Sequence, residues 1–191
     1  PTRIANTFQS SQGVAIKRDT IKQYIEYLKD SFLIEEALRY DVKGRKYIGT
    51  ETKYYFADIG IRAAILNYRQ QEETHIMENI IYNELRCRSY NVDVGMVELG
   101  GKDNSGKFVR KQLEVDFVVN RPPYRVYIQS AFRMPTQEKE IQERRSLLAI
   151  NDHFRKIVIV GDDIHRKEDE FGVLTVGLLD FLTDPKLLEQ G

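Results

Sequence analysis

The sequence predicts an α/β chain in two units: a small helical module closed by a basic hairpin, then an α-β-β-β-α-β unit. Three observations predict it. Apolar residues recur at three- and four-residue steps in the early and middle segments, and the period falls to two after about residue 90. Two strand-like runs flank "KGRK", with Gly44 at the turn. Late in the chain "RKIVIVG" is a continuous apolar run, suited to a buried parallel strand.

Residues 2–9 form a short amphipathic helix with Ile4, Ala5 and Phe8 on one side. The chain opens "PTRIANTFQS", without Met and with Pro1 just inside that helix. This fits a piece of a longer chain or, equally, a processed or renumbered start. After "SSQG", Ile21, Tyr24, Ile25 and Leu28 mark a second helix over 19–30, capped by Asp19 or Thr20. Phe32, Leu33 and Ile34 lead into "RYDVKGRKYIGTETKYYFAD", two strands tipped by Lys43, Arg45 and Lys46. Short helices followed by a basic hairpin are the pattern of a winged helix, here residues 1–57. Its second helix, with Lys17, Arg18 and Lys22 at its start, takes the recognition position, and the hairpin lies where such a module touches phosphates. The same module also serves protein–protein contact, and Asp19, Glu26 and Asp30 dilute the positive charge of the helix.

A connecting helix, "DIGIRAAILNYR" within 58–72, opens the second unit, residues 58–191. In "EETHIMENIIYNELRCRSY" the stripe is Met77, Ile80, Ile81, Leu85 and Arg88. "NVDVGMVEL" alternates through Val92, Val94 and Met96, and "FVRKQLEVDFVV" returns as its partner strand. "YRVYIQSAF" is the third strand and "PTQEKEIQERRSLLAI" a helix. After "RKIVIVG", "GVLTVGLLDFLTD" adds a strand and a helix.

Composition bounds what this fold does. The 191 residues carry 29 Lys and Arg against 29 Asp and Glu, so no overall charge argues for nucleic acid or membrane. The charge is uneven: residues 1–57 are mildly basic and 58–191 mildly acidic. The single Cys87 excludes a disulfide framework and reads as a small core residue. There is no membrane-length apolar run and no signal pattern, and a cytoplasmic location is expected.

Two motifs invite chemistry. Gly101–Lys107, "GKDNSGK", matches part of a phosphate-binding loop, but Phe108 follows where Ser or Thr is required. What comes next is strand, not a helix offering its amides, so the stretch reads as a hairpin turn. His75, His153 and His165 share no metal-like spacing. Glu114 and Asp116 alternate onto one face of their strand, with Val115 and Phe117 on the other. Carboxylates so placed can hold magnesium for phosphodiester chemistry, and a helix acid completes the set. Glu78 and Glu84 lie about 240° apart around their helix. Glu78 is favoured, because Glu84 can pair with Arg88 at i,i+4. Arg144 and Arg145 read as a solvated edge.

The order of elements, with "MENIIYNEL", "EVDFVV" and "YIQSA", resembles the PD-(D/E)xK restriction-endonuclease-like fold. Nearly all of the chain is similar to the C-terminal region of prokaryotic AAA-type ATPases, a winged helix followed by a nuclease-like domain of unknown function. The resemblance implies an ATPase domain upstream, holding the ATP, as a partner of this chain, with no cofactor in the chain itself beyond magnesium where the site works. It implies a DNA-associated role and, residue by residue, a site of Glu78, Asp116 and Gln129. Ala131 falls where the family carries its lysine, which puts catalysis in doubt. Lys111 is the nearest substitute on the Asp116 strand, but it lies on the opposite face. Three functions follow: a DNA- or partner-binding region on a degenerate nuclease scaffold, a Mg-dependent nuclease acting on DNA, and a protein-interaction or self-association module.

Overall fold

Ile21 and Ile25, one helical turn apart, are buried against Ile34, Tyr54 and Phe56. That contact pins the second helix to the open end of the hairpin. A computed structural model describes residues 2–69, 72–102, 106 and 108–189 as a mixed α/β fold. The first helices are α1 (Thr2–Gln12) and α2 (Arg18–Asp30), both somewhat longer than their periodicity suggests. Lys17, rather than Asp19 or Thr20, stands at the N-cap of α2, without a side-chain cap. Pro1 lies outside the described residues.

The hairpin strands β1 (Ile34–Asp41) and β2 (Lys46–Phe56) turn where the sequence predicts. Asp41 accepts the Gly44 N–H at 2.8 Å, and Arg45 takes the positive φ that closes the turn. This hairpin does not stand apart. β1 pairs in parallel with β3 (Asn91–Lys102), through Arg39↔Val94 to Asp41↔Met96, so the hairpin extends the main sheet.

Between them lie α3 (Ile59–Ile65), capped by Asp58 accepting from Gly60 and Ile61, and α4 (Glu73–Cys87). Then come β4 (Phe108–Arg121), β5 (Tyr124–Ala131), α5 (Gln137–Leu148) and β6 (Arg155–Val160). The last elements are β7 (Lys167–Glu168), β8 (Val173–Gly177) and α6 (Leu178–Thr183). β3, β4 and β5 form an antiparallel meander, and β6 joins β5 in parallel. Eight strands make one sheet in the order β2-β1-β3-β4-β5-β6-β8-β7.

One core lies under α4 and α6, around Met77, Ile81, Phe117, Ile128 and Phe181. The other lies under α5, around Val115, Tyr127, Leu147 and Val158. β6 is buried on both sides, as its unbroken apolar run predicts.

Two expectations are corrected here. Cys87 is exposed at the end of α4 rather than in the core. Arg144 is not a solvated edge: it is partly buried and bonded to Glu140 and Thr175, with Asp169 at 3.4 Å. Arg145 beside it is exposed. The glycine-rich turn falls partly on 103–105 and 107, outside the described residues, between β3 and β4, which pair up to Lys102↔Phe108. Among the described residues no helix is long and apolar enough to cross a membrane.

Candidate functional site

The acids of β4 owe their placement to an irregularity in the strand. Val115 pairs with Gly95 and Val118 with Asp93, so Asp116 and Phe117 together stand opposite the single residue Val94. This is a β-bulge, a device that re-aims a side chain. Gly95 permits it, because a Cβ there would sit 2.8 Å from Val118 and 2.9 Å from Val115. The bulge overturns strict alternation: Phe117 packs with Met77 and Ile81 on the α4 side, the side from which Asp116 is also reached. The β4–β5 ladder runs only as far as Phe117↔Ile128, and past it the Ser130 N–H donates to Asp116 Oδ2 at 2.8 Å.

Glu78 is the helix acid that reaches this point. Glu84 instead takes Arg88 at 2.8 Å, as its spacing predicts. Gln129 is present too, but it offers Asp116 its amide nitrogen, 2.7 Å from Oδ2, and spends its oxygen on the Ser146 hydroxyl at 3.0 Å.

The group at the centre was not read from the sequence. Lys53, from β2, places Nζ 2.9 Å from Glu78, 2.7 Å from Glu114 and 3.8 Å from Asp116. Arg39 of β1 holds the other Glu114 oxygen at 2.7 Å, and the Tyr55 hydroxyl donates to Glu78 at 2.6 Å. Lys111 is not among these contacts, so the lysine beside the acids is Lys53. The only local signal was Lys53 and Tyr55 at i and i+2 on one strand face. Nothing local says that the hairpin joins the sheet beside β3.

The electrostatics follow from this geometry. Burial and the neighbouring Glu78 charge push the Asp116 carboxyl up to about 7, against the pull of Lys53. Burial works against the Lys53 ammonium, yet Glu78, Asp116 and Glu114 hold it above the usual lysine range. Burial would also raise Glu114, but Lys53 and Arg39 prevail and lower it. Burial, then Glu78, raises the Tyr55 phenol, which therefore stays a donor.

These residues do not fit magnesium as arranged. An ammonium already stands among the three carboxylates, and both Asp116 Oδ2 and the Gln129 oxygen are spent. Among the described residues no group of three or more His, Cys, Asp or Glu is arranged to hold a metal ion.

The six cations expected to touch nucleic acid divide into two sets. Arg18 and Lys22 belong to α2, with Lys17 at its N-cap, docked at the open end of the hairpin, and Lys22 lies 3.8 Å from Asp19. Lys43, Arg45 and Lys46 are at the tip. Lys43 donates to the Glu98 carbonyl at 2.9 Å, while Arg45 faces a cavity of about 380 Å³ on the sheet.

Residues 1–72 match a family described as a domain of unknown function (DUF8612). The matched segment includes the hairpin and therefore Lys53. An uncharacterized protein of Haemophilus influenzae is 30% identical over 182 residues, covering 95% of this chain and 41% of that protein. The chain thus spans about two fifths of that relative's length. No solved structure matches the chain.

Proposed function

We propose that this chain is the nucleic-acid- or partner-binding C-terminal region of a larger AAA-type ATP-binding protein. It consists of a winged-helix-like module joined to a PD-(D/E)xK-like core that binds without cutting. The observation that carries this reading is the Lys53 ammonium bonded to Glu78 and Glu114 and close to Asp116. A metal nuclease needs carboxylate oxygens free for a hydrated cation, whereas here an internal cation already stands among them. The β3-β4-β5 meander with β6 in parallel, flanked by α4 and α5, supports the nuclease-like part of the reading. The cations at the hairpin tip support the DNA-associated part.

Duplex DNA binding with a steep salt dependence, lost when Lys43, Arg45 and Lys46 become Glu, is the expected result. No binding at low salt refutes the reading. The rival reading is a Mg-dependent nuclease acting on DNA. It draws on the same lysine, since Lys53 supplies beside the acids the charge that Ala131 lacks. Plasmid incubated with Mg²⁺ or Mn²⁺ separates the two: intact plasmid is expected, and cleavage abolished by Asp116→Ala would establish the rival.

A further inference from the structure

On the sheet end away from the acids, two cavities of about 380 Å³ each adjoin across Pro123, Tyr124, Arg125 and Phe154. Arg125 lies between two rings, its guanidinium carbon 5.6 Å from the Tyr40 centroid and 5.1 Å from that of Phe154. Its Nε donates to Asn120 at 2.7 Å, which fixes the plane of the fork. Arg45 lines one cavity and Arg155 the other. Among the described residues none of these three arginines forms an ion pair, and Arg155 Nη1 is buried without a hydrogen-bond partner. Tyr124 and Phe154, between them, are 37% and 40% exposed.

Glu168 and Glu189 also line the Arg155 cavity, but neither stands at ion-pair distance from these arginines among the described residues. Arginines without such a pair, interleaved with partly exposed aromatic rings, have the chemistry of a single-strand platform. The guanidiniums take phosphate oxygens bidentately, and the rings take base faces that a duplex keeps stacked away. An acidic peptide uses the cations but not the rings. We infer that the furrow through Arg45, Arg125 and Arg155 binds unpaired nucleotides of a single strand, which stack on Tyr124 and Phe154. This deepens the nucleic-acid reading above and shares with it the class of partner and Arg45, so the variants below are taken at Arg125, Phe154 and Tyr124.

Fluorescence anisotropy on the full chain tests it, using an oligothymidylate of about 12 nucleotides, within the span one such platform covers, and a duplex of the same length. Phe154→Leu and Arg125→Lys are each expected to weaken single-strand binding by about tenfold and to leave duplex binding at the hairpin unchanged. Tyr124→Ser, at the exposed turn, carries the test if a core-facing variant does not fold. Oligouridylate in place of oligothymidylate reads the preference between RNA and DNA.

Single-strand affinity unmoved by all three variants, or lost equally to a polyglutamate competitor, overturns the inference. If duplex binding then still depends on Lys43 and Lys46, the earlier reading stands alone. Single-strand binding that depends on Arg125 and Phe154, without duplex binding, upholds this inference and removes that reading.

Discussion

The acid cluster and the arginine furrow lie on the same sheet and treat charge in opposite ways. At Glu78, Glu114 and Asp116, every carboxylate has a cation from this chain close by, and Lys53 serves all three. In the furrow, Arg125 lies against the Tyr40 and Phe154 rings, and Arg45, Arg125 and Arg155 have no carboxylate at ion-pair distance among the described residues. A charge paired from within is costly to leave without its partner and has little left for a ligand. A charge held in place by apolar neighbours and left unpaired is available to one. The acids, which look catalytic in the sequence, are therefore the internally paired half, and the furrow is the half that we propose opens to a partner.

Substitutions can break this contrast. The largest expected effect is at Lys53. Lys53→Met leaves three acids facing one another and should cost about 3 kcal/mol at pH 8, measured by urea denaturation. The deficit relative to the parent chain should shrink as the pH falls and the acids take up protons. No loss would mean that Lys53 is not the counter-ion.

Asp116→Asn comes next. The folded carboxyl sits at about 7, above the ordinary aspartate range near 4 that the unfolded chain is expected to have. Between those values the folded state holds a proton that the unfolded state has lost, so this group's contribution falls as pH rises from about 4 to 7. The Asn variant, which still accepts from Ser130, should lack that decline and gain on the order of 2 kcal/mol relative to the parent at pH 8. A parallel pair of pH profiles would refute the assignment.

Tyr55→Phe removes one donor to a carboxylate that keeps Lys53, and should cost about 1 kcal/mol in the same assay. Smallest of all, millimolar magnesium should leave the melting midpoint of the chain unmoved. A rise of several degrees would show that a metal enters the acid site after all, and would blur the distinction between the two regions.

Much of the fold was legible because its signals are local. The stripe of α4, the turn at Gly44 and the unbroken apolar run of β6 each need only a window of about ten residues. Glu78, Asp116 and the pairing of Glu84 with Arg88 came from helix and strand spacing in the same way. Phe117 was misplaced because a bulge breaks the period of two, and its only trace in the sequence is Gly95 on a different strand. Cys87 was misplaced because α4 ends at that residue, leaving it outside the stripe.

The sequence by itself determined the kinds of elements, their order and the acids available to a site. Tertiary structure alone decided which cation meets those acids. That outcome depends on β1 pairing in parallel beside β3, which brings Arg39 to Glu114 across 75 positions and carries Lys53 in on the neighbouring strand. Likewise, no spacing places Arg125 between Tyr40 and Phe154, which come from separate elements. Local periodicity records which face of an element is apolar. Which charges then share that space is set by strand neighbours far apart in the chain.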